Sequence, residues 1–576
     1  INDLGQYEVL NQDLSGLDLA EDIKEVPTEL EAIVSQIQLL TESQQIPPVP
    51  QPWLPPLKDR IYSTDLRRGD FKEFWSHKNR PLKAVIGYVD IPSQQAQYTL
   101  EHDFNEDGNI ALFGGPLTGK STFIQTLTMD LARKFSPKDV TLYLMDFGTN
   151  GLAPLGQLPQ VADTLLLDQT EKIAKFVRIM ERELNRRKKL LSDYGVGTLE
   201  LYRQASGQQE PAIVILLDSY ESMKEEAYEA ELFKLLVRIS REGLSIGVHL
   251  LVTAGRQSNL RAQFYANFKH QLSLPQNDVG EVRSIVGSTP LAKTMEDIKG
   301  RALMKRDEVD VIQLALPVEG ANDAQVLNNL RQEVASLQEA WTGQRPSAIP
   351  MVPEELTEAD FYSRASVQAA YKQGLVPLGL DMETVEPITW NLSKGNLLYL
   401  TDKEEQMSAL TEQIARGKQK VIVLAPKYHN LPEMEGVTIL ASPEEYQTGI
   451  VAMEENVKAR LEKRNNQHEA TVILFNQLEL MGELSLDDQT SLNYILEKGL
   501  RAGYASVSMS GSQLYKQIDV VSKTIRNYKQ AIVSMRLTDQ NILTVTNKPI
   551  REPQLEEQEH YYVADGLASK MKALMI

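Results

Sequence analysis

The chain has 576 residues, 42% of them hydrophobic, with no cysteine and a formal charge of −19 from 60 basic and 79 acidic side chains. At ~100–200 residues per domain, this length predicts two to four units, each able to bury its own core. The acidity argues against a broad nucleic-acid-binding face, and the absence of cysteine excludes disulfides, thiolate zinc sites and cysteine nucleophiles. No apolar run approaches the ~20 residues that a membrane helix needs, and no signal peptide is visible. The chain begins with Ile rather than Met, so the expectation is a fragment, with any membrane anchor upstream.

In chain order, residues 1–45 read as a strand-like patch ("YEVL") and then a helix around "TELEAIVSQIQLL". The proline-rich "IPPVPQPWLPPL" (46–57) should be extended. From about residue 84 the pattern becomes α/β. "KAVIGYVDI", "NIALF", "VTLYLMDF", "AIVILLD" and "GVHLLVTA" read as strands; "KSTFIQTLTMDLARKF" and "TEKIAKFVRIMERELNRRKKLL" read as helices. Short apolar runs alternating with helices predict a largely parallel sheet covered on both faces.

The order then repeats. "LVPLGLD" matches "AVIGYVD", "GNLLYL" matches "GNIALF", "EATVILFNQ" matches "PAIVILLDS", and "EKGLRAGYASVSMSGSQ" tracks "REGLSIGVHLLVTAGRQ". The period is far longer than that of a solenoid and indicates tandem duplication of a domain. Residues 1–45 resemble the strand, helix and proline linker of 309–353, which suggests the tail of a preceding module. The expected division is therefore a tail at 1–45, a linker at 46–83, a first complete module at 84–340, a linker at 341–356 and a second module at 357–576.

"GGPLTGKS" supplies the single strong chemical signature, Gly114-x4-Gly119-Lys120-Ser121. Such a loop (Gly114, Gly115, Pro116, Leu117, Thr118, Gly119, then Lys120, Ser121 and Thr122) lets backbone N–H groups wrap the phosphates of ATP while the following helix directs its positive end at them. Lys120 would neutralise the β and γ phosphates and Ser121 would hold Mg2+. The competing reading is a plain Gly-rich turn. Asp218, at the end of a buried strand, is the expected second metal-site carboxylate, against the plainer reading of a strand-end Asp opening a turn.

Many such ATPases carry a glutamate directly after this aspartate to activate water. Here Ser219 stands there, and Glu221, two residues on, would point elsewhere unless the turn is unusual. Loss of a general base costs ~10²–10⁴-fold in rate, so slow turnover is expected. Thr253 and Arg256 end the next strand; Arg256 reads equally as an arginine finger for a neighbouring subunit or as a solvated side chain.

In the second copy, Gln406, Met407, Asn476 and Ser512 stand where Gly119, Lys120, Asp218 and Arg256 stand in the first, and Ser408 alone matches. Asp402, Glu404 and Glu405 would repel phosphate there. A non-hydrolysing scaffold or recognition domain is expected. The seven histidines look scattered, and "RRKKLL" (186–191) reads as a solvated helix face.

"MERELNRRKKLLSDYGVGTLELY" (180–202) and "GVHLLVTAGRQS" resemble segments of the FtsK/SpoIIIE-type motor ATPases, and "PWLPPL" and "AIPMVPE" resemble the inter-ATPase linkers of the type VII secretion ATPases, the EssC/EccC family. The resemblance spans essentially the whole chain. It implies tandem RecA-like P-loop domains, the second and third of three, with Lys120, Asp218 and Arg256 in catalysis and Ser121 and Asp218 at Mg2+. It also implies ring-like self-association, other secretion subunits as partners, WXG100-type small helical proteins and effectors as cargo, and a place at the cytoplasmic face of the bacterial membrane. A DNA-pumping translocase of the same superfamily is the alternative, and a purely structural pseudo-ATPase a third reading. The acidic balance weighs against DNA.

Overall fold

The computed structural model describes residues 5, 28–46, 54–67, 69–77, 80–402, 407–425, 434–462, 469–549 and 552–574. The "YEVL" patch, Trp53 and the loop at 403–406 lie outside them. The helix Glu29–Ser43 opens with a capping box in which the Thr28 hydroxyl accepts from the Glu31 N–H and Glu31 accepts from the Thr28 N–H.

The first sheet contains β1 (Lys83–Ile91), β2 (Ala96–Asp103), β3 (Ile110–Phe113), β4 (Val140–Asp146), β5 (Val161–Leu166), β6 (Ala212–Asp218), β7 (Val248–Ala254), β8 (His270–Ser273), β9 (Arg301–Lys305) and β10 (Val309–Leu314). Their spatial order is β2-β1-β10-β9-β8-β3-β7-β6-β4-β5. The six strands from β8 to β5 run parallel, and the other four join antiparallel at one side.

The second sheet contains β11 (Val376–Asp381), β12 (Pro387–Trp390), β13 (Leu397–Leu400), β14 (Lys420–Leu424), β15 (Val437–Leu440), β16 (Thr471–Asn476), β17 (Tyr504–Ser510), β18 (Gln530–Val533), β19 (Glu559–Ala564) and β20 (Leu567–Lys572). Its order, β12-β11-β20-β19-β18-β13-β17-β16-β14-β15, repeats that of the first strand for strand. The duplication read from the sequence is therefore a duplication of topology.

Every residue of β4, β6 and β7 is buried. That is what continuous Val/Ile/Leu runs require when helices cover both faces of a parallel sheet. The helix Thr170–Asp193 covers one face, inserting Ile173, Phe176, Met180 and Leu184 into one core. The helix Lys120–Lys134 inserts Phe123, Ile124, Leu127 and Leu131 into the core on the other face, which Asp323–Ala340 completes with Val326, Leu330, Val334 and Leu337.

The second linker is part of the packing. Ile349 is 5% exposed within the first module's core and donates its N–H to Asp163 Oδ2 at 3.0 Å. The Pro350 carbonyl accepts from the buried ammonium of Lys175 at 2.8 Å. Met351 is half-buried against the same cluster. Polyproline-like backbone loses little entropy on docking, so large apolar side chains on it make an effective anchor. Of the first linker, Leu54 is exposed and Leu57 buried. Arg178 and Arg182 of the first module both meet Glu383 of the second, at 2.7 and 3.2 Å.

The candidate nucleotide site

Apolar residues that finish at the same level leave their strand ends facing one crevice. In open α/β sheets this carboxyl edge, where successive connections diverge, is where ligands bind. At this edge β3 runs into the loop at 114–119, and the helix Lys120–Lys134 leaves it. Gly114 has to be glycine, because a Cβ there would sit 2.6 Å from Thr118 Oγ1 and 2.8 Å from Leu274 Cβ. Gly119 lies at φ +116°, which side chains disfavour.

The N–H groups of Gly114 and Gly115 bond to the carbonyls of Ala254 and Pro275, at 3.1 and 3.3 Å, and so fix the loop to the neighbouring strands. Among the described residues, the N–H groups of residues 117–122 make no backbone hydrogen bond. A row of free N–H groups at the start of a 15-residue helix is an anion site. Lys120 Nζ donates to the Gly114 and Gly115 carbonyls at 2.8 and 2.9 Å. Burial lowers its pKa, and Glu221 and then Asp218 act to raise it. Thr118 Oγ1 donates to the Gly115 carbonyl at 2.9 Å. Leu117 is 89% exposed at the tip of the loop, next to Pro116.

Asp218 meets this loop. Its Oδ2 accepts from Ser121 Oγ at 2.6 Å, and its Oδ1 accepts from Thr253 Oγ1, whose hydroxyl in turn accepts the Ser219 N–H at 3.0 Å. Lys120, Ser121 and Asp218, distant in sequence, are thus one constellation. Sequence reasoning missed Asp146, which ends β4 in register with Asp218 and is 3% exposed. One of its oxygens accepts the Leu152 N–H at 2.8 Å and the other has no partner. Burial raises its pKa, and the nearby Asp218 raises it further. The signal was present in "LYLMDF", a second buried strand ending in Asp.

Two buried carboxylates and a hydroxyl around an unpartnered oxygen fit a hard divalent cation, which takes oxygen ligands and relieves the repulsion. Ser121, Asp218 and Asp146 would hold Mg2+ directly or through its water. A cavity of about 510 Å³ runs from Lys120, Ser121, Gly148 and Ser219 to Leu314–Leu316, with Arg60 at its rim. That volume accommodates a nucleotide.

Three expectations need correction or qualification. Glu221 does not point away: Ser219 takes left-handed backbone (φ 60°, ψ 56°) and a 3-10 turn over Tyr220–Met223 follows. This brings Glu221 Oε1 to 3.0 Å from the Gly255 N–H. Arg256 is not brought into its own module's site; its side chain is 61% exposed and paired with Glu281 at 2.9 Å. Nor are all the histidines scattered. His102 Nδ1 lies 3.3 Å from His270 Nδ1, Asp107 is 3.6 Å from His270, and the buried His249 packs on Phe104 beside them. This group sits by the amino ends of β7 and β8, away from the P-loop.

In the second module, Asn476 ends β16 at the register position of Asp218, and Met509 that of Thr253. Asp402 Oδ1 accepts the Ser512 N–H at 2.9 Å, tying the end of β13 to that of its neighbour β17. The side chains at 406 and 407 lie outside the described residues.

Residues 74–303 match the FtsK/SpoIIIE family. The chain is 31% identical over 597 residues to the type VII secretion system protein EssC of Staphylococcus aureus strain MSSA476, covering 99% of this chain and 39% of that protein. It is 29% identical over 581 residues to the ESX secretion system protein YukB of Bacillus subtilis strain 168, covering 95% of this chain and 37% of that protein. The chain therefore spans well under half the length of these curated relatives. Among solved structures, ATPases 2 and 3 of EssC from Geobacillus thermodenitrificans superpose with a TM-score of 0.82 at 26% identity, covering 91% of this chain and all of that one. Thermomonospora curvata EccC (ATPases 2 and 3) in complex with a signal sequence peptide shares the fold, with a TM-score of 0.55 at 21% identity over 92% of this chain and 99% of that one.

Proposed function

We propose that this chain, whose residues 74–303 belong to the FtsK/SpoIIIE family, is the tandem ATPase region of a type VII secretion motor that binds ATP·Mg2+ in its first module and engages cargo through its second. The observation that carries the nucleotide half is the contrast between modules. Lys120, Ser121 and Asp218 converge in the first; in the second, Asn476 replaces the aspartate and Asp402 bridges to Ser512. A carboxylate in the phosphate crevice repels phosphate. A nucleotide-soaked crystal structure tests this, with density for ATP expected at residues 114–122 and none at 401–408.

The cargo half rests on the linker. Ile349 and Pro350 occupy a groove of the first module between β4, β6 and the helix Thr170–Asp193, where Tyr143 and Ile213 line it. Ile422 and Thr471 take those register positions in the second module. An extended or helical apolar segment from a secreted protein would seat there as the linker does in the first. The EccC structure with a signal sequence peptide supports this reading, and small helical WXG100-type proteins and effectors are the cargo class. Helix Glu29–Ser43 exposes Ile33, Ile37 and Leu40 at the spacing at which Asp323–Ala340 buries Leu330, Val334 and Leu337 in the first module. We assign residues 1–45 to a preceding module on that ground. The working machine is then a membrane-anchored multimer at the cytoplasmic face, in which Arg256 serves a neighbouring subunit. A net charge of −19 weighs against DNA as its cargo.

A further inference from the structure

We infer that Glu221 is the general base that activates water for ATP hydrolysis in the first module, in place of the absent carboxylate at position 219; this rests on the nucleotide reading above. The turn after β6 is built to aim it. Ser219 in the left-handed region reverses the chain, and the following residues are anchored on both sides of Glu221. Tyr220 is 1% exposed and stacks on Phe264 with ring centroids 5.7 Å apart, and Met223 is fully buried. With its neighbours held in the core, Glu221 faces the end of β7. Its Oε1 accepts the Gly255 N–H at 3.0 Å, while its Oε2 is buried and has no partner.

That position lies at the carboxyl edge of the sheet, beside the P-loop. Gly255 follows Ala254, whose carbonyl accepts the Gly114 N–H at 3.1 Å, so Glu221 is tied within one residue of the P-loop's first contact. Of the two acids that act on Lys120, Glu221 acts more strongly than Asp218. The γ-phosphate belongs between Lys120 and the ends of β6 and β7. Asp146 is the other carboxylate available, but it stands on the far side of Asp218, with the metal ligands, and is held by the Leu152 N–H. A base fixed through one oxygen by a backbone N–H and free at the other is oriented without being consumed by the contact.

In the step, Glu221 Oε2 takes a proton from water as the water oxygen bonds to the γ-phosphorus. The bond from that phosphorus to the β–γ bridging oxygen breaks, and its electron pair leaves with ADP. Lys120 stabilises the charge that develops on the phosphates. The products are ADP, inorganic phosphate and one proton, returned to solvent from Glu221.

The test pairs two readouts on the whole chain. Glu221→Gln keeps the side-chain acceptor for the Gly255 N–H, so the fold and the site's shape should persist. Phosphate release should fall by ~10²–10⁴-fold, while the Kd for a fluorescent ATP analogue with Mg2+ stays within about threefold of wild type, because a general base acts on the transition state. Glu221→Asp, whose carboxylate is withdrawn by one methylene, should also lose at least about tenfold in rate with binding intact. Hydrolysis that survives Glu221→Gln overturns the inference. So does a wild-type chain that binds ATP without hydrolysing it, or a variant that loses binding and hydrolysis together. A wild-type chain that does not bind ATP at all overturns the nucleotide reading itself.

Discussion

Ser121 Oγ donates to Asp218 Oδ2 at 2.6 Å, and that one bond joins the first turn of the P-loop helix to the end of β6. The bond exists because two buried strands, β3 and β6, end at the same level with β7 between them. A hydroxyl and a carboxylate delivered to one point beside a free row of N–H groups suit a phosphate together with the cation proposed above.

Asp146 should matter through the cation. Asp146→Asn removes one of two adjacent carboxylates, so ATP affinity should fall roughly tenfold with Mg2+ present and change little in EDTA. Titration of a fluorescent ATP analogue under both conditions checks this. An equal loss in both conditions would assign Asp146 to loop structure.

Breaking the linker anchor should release it. Ile349→Asp places a carboxylate where an apolar side chain packs in the first module's core, a change of about 3 kcal/mol or more at a fully packed site. The linker can detach instead of the core unfolding. Broad-specificity proteolysis should then cut within 341–356 at least tenfold faster, with the melting temperature of the first module shifting by only a few degrees. Unchanged proteolysis would show that Pro350 and Lys175 suffice to hold it.

Acid should destabilise the first module through its buried histidines. Burial lowers the pKa of His102 to about 4 and of His249 to about 3, from 6.5. The unfolded chain therefore binds protons first. Stability contributed by the neutral rings is complete above about pH 6.5 and is lost as pH falls toward 4, by up to about 1.4 kcal/mol per pH unit per histidine. Urea unfolding between pH 7.5 and 4.5 measures the slope. His249→Leu should make it shallower, and an unchanged slope would place the acid sensitivity in the carboxylates.

The central strands were legible because their signal is local. β4, β6 and β7 are apolar runs bounded by charge or glycine, and the P-loop is a contiguous motif. Two shorter strands were not legible. β5 ("VADTLL"), at the edge of the sheet, and β8 ("HQLS"), between β3 and β9, are short and mixed, and they become strands only because β4 and β3 offer backbone groups to pair with. Asp146 was only half legible: a second buried strand ending in Asp was there to read, but its place beside Asp218 depends on the register of β4 against β6, which no spacing in the sequence encodes. The direction of Glu221 was left open for a sharper reason. It hung on the turn after Asp218, and Ser219 at φ 60° is a backbone state that a non-glycine residue seldom adopts.

Calorimetric titration of this chain with ATP and Mg2+ tests the division of labour between the modules most directly. One site per chain is expected, abolished by Lys120→Ala and untouched by substitutions at Asp402 or Asn476. Two comparable sites, or one that survives Lys120→Ala, would contradict it.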